Sequence, residues 1–226
     1  MTDSKLRELE RRWKESGSVE DEAAYLLERV RVGDLEQEKL ELAAYFGHEA
    51  ARRASSGKCP PNSSAEIPDE WGAWLSAIPA RECPVQQVRI RAALACARLC
   101  TALYPAPASK LAVSSAEDWV LCPCPQHARS ARELSERALP VSPEDIPFQA
   151  LLPIHAAAWA AVHAARVASS SLGATAYALD DCAEALEMAS FVTSQGEVLT
   201  AIRREITPWL LGNGDPIQQR ASMRTE

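Results

Sequence analysis

The stretch that decides the fold runs from Pro153 to Ser170 and reads Pro-Ile-His-Ala-Ala-Ala-Trp-Ala-Ala-Val-His-Ala-Ala-Arg-Val-Ala-Ser-Ser. Its eight alanines make it a strong helix former. Their small side chains also let neighbouring helices approach closely. We therefore predict that this segment is the central helix of a helical bundle.

Helical periodicity continues on both sides of this stretch, and no alternating strand pattern of useful length occurs. Near the N-terminus, Ser18 and Asp21 have the spacing of a helix N-cap, and Gly33 is placed to end that helix. Asp34 is predicted to cap the helix that follows. The predicted fold class is all-α, as a multi-helix bundle or a helical-repeat-like array with a small N-terminal helical module.

Composition divides the chain into four parts. A run of short helices with glycine turns gives an N-terminal helical module at 1–54, and a segment rich in Ser, Pro and Asn gives a linker or long loop at 55–67. The main helical bundle is predicted at 68–212. A polar C-terminal tail is predicted at 213–226.

The charge balance argues against a nucleic-acid partner. There are 24 basic and 31 acidic residues, which gives a formal net charge of −7, and no block of Lys and Arg stands out. The charged N-terminus lacks the apolar core of a signal peptide, and no apolar window is long enough to span a membrane. We expect a cytoplasmic protein without a membrane anchor.

The seven cysteines are expected to be reduced, because their number is odd and no export signal accompanies them. Cys96 and Cys100 are predicted to be packing residues. The most metal-like stretch is Cys-Pro-Cys-Pro-Gln-His, in which Cys122, Cys124 and His127 could supply three of the four ligands of zinc. The spacing Cys-x-Cys is less typical of zinc than Cys-x-x-Cys, and no second ligand pair follows. We therefore predict a structural turn between two helices and no cofactor, with a metal site as the alternative.

Two polar faces are candidates for binding. On the alanine-rich helix, one side carries His155, Trp159, His163 and Arg166. On the following helix, the acidic residues Asp180, Glu184 and Glu187 share a face. If these faces met, they could form a metal or acid/base site, but an interhelical polar network or a partner-facing surface is the favoured interpretation.

Tryptophan suggests a further contact surface. Trp71 and Trp74 lie beside the proline-rich segment and are candidates for an exposed anchor that binds a partner, because Trp is enriched in interface hot spots. Helix-to-helix packing is the favoured interpretation of the two residues. The signatures of dinucleotide, phosphate-loop, zinc-protease and serine-hydrolase sites are all absent, so no catalytic residue is predicted.

Three segments carry a family resemblance: Arg89 to Arg98 (Arg-Ile-Arg-Ala-Ala-Leu-Ala-Cys-Ala-Arg), Ala116-Glu-Asp-Trp119, and the alanine-rich helix with Trp159 and its two histidines. Together they resemble the alanine- and tryptophan-rich immunity proteins of bacterial polymorphic-toxin systems. The resemblance implies an all-helical fold and a protein partner, and it assigns no functional residue.

We therefore predict a cytoplasmic helical protein-binding module, not an enzyme, of the immunity or inhibitor type that covers a protein partner. The alternative is a helical bundle that binds a metal or small ligand as an enzyme or sensor, using residues among Cys122, Cys124, His127, His155 and His163. A third possibility is a scaffold subunit, which would form a defined homo-oligomer.

Overall fold

The computed structural model describes residues 2–55, 70–78, 85–105, 107–138, 166 and 175–224. Every regular element in these ranges is an α-helix, so the all-α prediction is confirmed. The helices are α1 (Thr2–Ser16), α2 (Val19–Arg31), α3 (Gln37–Tyr45), α4 (Glu49–Ala54), α5 (Trp71–Ser76), α6 (Val85–Leu103), α7 (Pro107–Leu121), α8 (Pro125–Ala138), α9 (Thr175–Val192), α10 (Gln195–Leu210) and α11 (Pro216–Arg224). Within those same ranges, none is both long and apolar enough to cross a bilayer.

The alanine-rich segment 153–170, predicted as the central helix, lies outside the described residues except for Arg166, which is helical. The chain divides into two compact units. Unit 1 contains Met1–Glu66, Ile78–Arg81 and Ile206–Asp215, and unit 2 contains Ile67–Ala77, Glu82–Glu205 and Pro216–Glu226. The sequence-based division at 1–54, 55–67, 68–212 and 213–226 stays a prediction.

In unit 1, the junction of α1 and α2 follows from local sequence signals. The Ser18 hydroxyl accepts a hydrogen bond from the backbone N–H of Asp21 at 3.1 Å, so the predicted N-cap is confirmed. Trp13 of α1 stacks on Tyr25 of α2, with ring centroids 5.3 Å apart. This ring contact fixes the two helices side by side.

The start of α3 differs from the prediction. The helix begins at Gln37 with Glu36 in the N-cap position, so the prediction that Asp34 caps it is wrong. The Asp34 carboxylate instead accepts a hydrogen bond from Arg29 Nε at 2.6 Å. In this pair both partners carry a charge, whereas a cap bond would join the Asp34 carboxylate to an uncharged backbone N–H, so pairing with Arg29 is the stronger interaction.

Arg29 also contacts the segment that ends α10, within the same unit. Its Nη1 donates to the backbone carbonyl of Leu211 at 2.5 Å. The next residue, Gly212, has a φ of +68°, which L side chains rarely adopt. A Cβ atom at Gly212 would lie 3.1 Å from Nη2 of Arg29. Glycine therefore meets both a backbone and a packing requirement here.

The core of unit 1 comes from α2, α3 and α4, in which α4 packs on both α2 and α3. Its largest fully buried side chains are Leu26, Leu40, Leu42, Tyr45 and Phe46. Removing this apolar surface from water supplies most of the driving force for forming helices as short as α3 and α4.

Unit 2 is arranged around α6 and α7. Helix α6 packs against α9 and α7, while α7 also packs against α8 and α11, and α5 packs against α9. The alanine-rich sequence of α6 leaves Ala92, Ala93 and Ala97 fully buried, which allows close helix approach. The larger buried side chains of this unit include Leu75, Ile90, Leu94, Leu186 and Ile202.

Helix α11 occupies residues predicted only as a polar tail. It is held by a network of charges in which Glu117 and Glu205 are nearly inaccessible to solvent. Arg98 and Arg220 each bind Glu205 at 2.7 Å, and Arg220 also lies 3.3 Å from a Glu117 oxygen. Arg98 and Arg224 complete the pairing of Glu117. Polar residues thus order this helix through two buried carboxylates on α7 and α10.

Candidate metal centre

The turn between α7 and α8 is the part of the described chain where side chains able to bind metal converge. Helix α7 ends at Leu121, because Pro123 has no N–H with which to continue the helical hydrogen bonds. Pro125 opens α8 at its first position, where a missing N–H costs nothing. Cys124 occupies the N-cap position, and its carbonyl accepts the first helical bond from Ala128 at 3.0 Å. The predicted structural turn is therefore present.

This turn brings three ligand side chains together. The Sγ atoms of Cys122 and Cys124 and a ring nitrogen of His127 all lie within 4.8 Å of one another. Cys122 is exposed, and the other two side chains are partly exposed. This exposure leaves the cluster accessible to an ion from solvent. It is the one group of three or more such ligands found in the part of the chain that the structure describes.

Backbone contacts hold the His127 ring in this position. Its Nδ1 lies 2.9 Å from the Cys122 carbonyl oxygen, which can only accept, so Nδ1–H is the donor. Nδ1 also lies 3.5 Å from Cys124 Sγ. In this tautomer the lone pair is on Nε2, whereas the ring nitrogen that lies near a sulfur is Nδ1, so metal binding through Nδ1 requires the proton to move to Nε2.

The two thiols differ electrostatically. The pKa of Cys124 is lowered, first because the backbone N–H of His127 donates to its sulfur, with further donation from Gln126 and from the Cys122 thiol. The pKa of Cys122 is raised, first by its hydrogen bond to Cys124 and then by the adjacent negative charge. Thiolate is the form that binds metal, so Cys124 is the better prepared ligand.

The buried cysteines have a different character. Cys96, Cys100 and Cys182 are fully buried, so the prediction that the first two are packing residues is confirmed. Burial raises the pKa of Cys100 and of Cys182 to about 12. The Cys182 thiol donates to the Arg89 carbonyl at 3.0 Å. These thiols stay protonated at neutral pH and are unsuited to metal binding.

The predicted exposed anchor is not exposed. Trp71 and Trp74 are only 5% and 7% accessible and form an edge-to-face pair with centroids 5.6 Å apart. Trp71 Nε1 also donates to Ser190 Oγ at 3.0 Å. The candidate exposed anchor is therefore wrong, because apolar contacts and the hydrogen bond to Ser190 hold these rings within unit 2. Helix packing, the favoured interpretation, is what the structure shows.

Most of the predicted polar face lies outside the described residues. This applies to His155, Trp159 and His163, whose proposed meeting with the acidic face stays a prediction. Arg166 is described and exposed, and its Nη1 lies 3.9 Å from Asp181, the neighbour of the predicted Asp180.

Sequence reasoning missed the charged network of α11. The spacing of Arg220 and Arg224, one helical turn apart, is a local signal for a shared face. The carboxylates they bind lie far away in sequence, so the signal does not identify them.

Comparisons with known proteins give no match to a protein-family model, to a curated protein or to a solved structure.

Proposed function

We propose that this protein binds a soft metal ion, represented here by Zn²⁺, through Cys122, Cys124 and His127. The observation that supports this proposal is the convergence of two thiols and one imidazole within 4.8 Å at an accessible turn. Thiolate and imidazole are the ligands that zinc prefers, whereas calcium and magnesium prefer oxygen.

The distances suit a site that tightens on binding. With metal–ligand bonds of about 2.0 to 2.3 Å, the ligand atoms of a tetrahedral zinc site lie roughly 3.3 to 3.8 Å apart. In the present structure, the three ligand atoms lie within 4.8 Å of one another. Contraction by about 1 Å lies within the reach of rotations about the side-chain bonds of cysteine and histidine.

The backbone on either side supports the site. Pro123 and Pro125 each have a restricted φ, so the turn loses less conformational freedom when an ion binds. Helices α7 and α8 pack on each other and fix both ends of the turn. Three ligands leave a fourth position for water or another donor, which is the arrangement of exchangeable and catalytic sites.

The test is to titrate the metal-free protein with Zn²⁺ by calorimetry, and to measure the metal content after dialysis. Wild type is expected to bind one equivalent, and Cys122→Ser, Cys124→Ser and His127→Ala are each expected to weaken binding by about tenfold or more. Arg129→Ala, an exposed change on the same helix, is the matched control. Equal affinity in all four variants, or no binding by folded wild type, would contradict the proposal.

A second proposal retains the function implied by the resemblance, in which unit 2 binds a protein partner. Phe191 on α9 supports it, because this aromatic side chain is 60% exposed and such side chains are enriched at interfaces. A tagged pull-down would compare wild type with Phe191→Ser, using Leu27→Ser in unit 1 as the control. A stoichiometric partner lost only with Phe191→Ser supports the proposal. Capture that is insensitive to Phe191→Ser, or no capture, contradicts it.

A further inference from the structure

The two cysteines of the turn form a pair of neighbouring thiols at a helix start. Their sulfur atoms lie within 4.8 Å of each other, and one residue, Pro123, separates them in the chain. The Cys124 sulfur also lies 3.5 Å from Nδ1 of His127. Cys122 is exposed, so a small molecule can reach the pair.

We propose that Cys122 and Cys124 form a redox-active dithiol that exchanges with low-molecular-weight disulfides. This activity goes beyond metal binding and does not depend on it, since it requires only the two sulfurs in their metal-free state. The same two sulfurs cannot bind an ion and be joined in a disulfide, so the two states exclude each other.

The exchange takes place in two balanced steps. In the first, the Cys124 thiolate attacks one sulfur of a disulfide RSSR, a bond forms between Cys124 Sγ and that sulfur, and the other leaves as RS⁻. In the second, the Cys122 thiolate attacks Cys124 Sγ, the Cys122 to Cys124 bond forms, and a second RS⁻ leaves. The protein loses two electrons and two protons, and RSSR becomes two molecules of RSH.

The assignment of Cys124 as the first nucleophile rests on its place at the start of α8. Cys124 directly precedes Pro125, the first residue of α8, and negative charge is stabilised at helix N-termini. Cys122 lies just after the end of α7, on the other side of Pro123 from this helix start, and it is exposed. That position suits the second thiol, which attacks the mixed disulfide on Cys124 and displaces the attached RS group.

The sequence allows the reaction to be localised. Cleavage after Lys110 and Arg129 releases peptide 111–129, in which Cys122 and Cys124 are the only cysteines. The experiment treats metal-free, folded protein with glutathione disulfide in the presence of a chelator. Remaining thiols are then blocked by alkylation, and this peptide is analysed by mass spectrometry.

For wild type, we expect an internal disulfide in peptide 111–129 and about two equivalents of glutathione released per chain. For Cys122→Ser, we expect about one equivalent released and one glutathione retained on Cys124. Cys124→Ser should react more slowly than Cys122→Ser. The folded protein should also react at least about fivefold faster than the synthetic peptide 111–129, because only the protein has the helix start.

Two results would overturn the proposal: glutathione retained on both cysteines without an internal disulfide, or equal rates for the protein and the free peptide. Both results are measured with metal-free protein, so they are independent of the zinc titration. Failure of the exchange would leave the metal proposal intact, and failure of zinc binding would leave the exchange intact.

Discussion

Nδ1 of His127 lies 3.5 Å from Sγ of Cys124 and 2.9 Å from the carbonyl oxygen of Cys122. The imidazole is therefore positioned by the backbone of the turn and does not rely on the thiols alone. The α7 to α8 turn itself is defined by Pro123, Pro125 and the packed helix ends, so the turn should be retained when His127 is replaced.

The first prediction concerns stabilisation by metal. Zn²⁺ should raise the melting temperature of wild type, because an ion that binds only the folded state contributes about 2.7 kcal/mol at a concentration 100 times its Kd. His127→Ala should show a much smaller shift at the same concentration, while Arg129→Ala should match wild type. Thermal unfolding with and without Zn²⁺ measures this. An equal shift for His127→Ala would show that binding occurs elsewhere.

The second prediction concerns the charged network around α11. Arg220→Ala removes a partner from both Glu117 and Glu205, whose side chains are 3% and 6% exposed. Leaving buried carboxylates short of a partner should reduce the free energy of unfolding by about 3 kcal/mol. Urea denaturation measures the loss, with Arg129→Ala as an exposed control. A loss no larger than that of the control would mean that the network contributes little to stability.

The third prediction is a pH dependence that arises from Glu28. Hydrogen bonds, first from Arg31 and then from Lys5, lower the pKa of this carboxyl to about 2. Because the folded pKa is below the unfolded value near 4.5, the stabilisation is complete above pH 4.5 and is lost as the pH falls towards 2.

Glu28→Gln should therefore melt at a lower temperature than wild type at pH 7, and the difference should shrink between pH 4.5 and 2.5. Melting curves across this range test the expectation. Glu36→Gln, which changes an exposed carboxylate, should show a smaller difference throughout. A difference for Glu28→Gln that stays constant with pH would contradict the assigned cause.

The fourth prediction tests the burial of the tryptophan pair. Trp71→Phe removes the hydrogen bond to Ser190 and should reduce the free energy of unfolding by about 1 kcal/mol beyond the cost of the smaller ring. A double-mutant cycle with Ser190→Ala should give a coupling energy of about 1 kcal/mol. Additive effects of the two changes would show that the bond is not formed in solution.

Local features of this chain were predictable because the interacting residues are close in sequence. The N-cap at Ser18 needs only a hydroxyl three residues before the donor. The ligand cluster likewise lies within six residues, so its composition was recognisable although its geometry was not. Two prolines determine where one helix ends and the next begins, and both are visible in the sequence.

Features that depend on distant residues were not predictable. Trp71 was a candidate for an exposed anchor because it lies beside a proline-rich segment, yet it is buried and its hydrogen-bond partner, Ser190, lies 119 residues away. Asp34 was expected to cap α3 because it immediately precedes that helical pattern, but Arg29 competes successfully for its carboxylate. Periodicity gives no information about such competition between partners.

The contact between Arg29 and Gly212 has a consequence for how this sequence can change. A side chain at 212 would press on the guanidinium, which also binds Asp34 and the Leu211 carbonyl. Substitution of Gly212 should therefore be accepted more readily after Arg29 has been replaced by a shorter residue than before. Once Arg29 is lost, Asp34 is also released from its pairing. In a lineage of related sequences, changes at positions 34 and 212 should therefore follow a change at position 29.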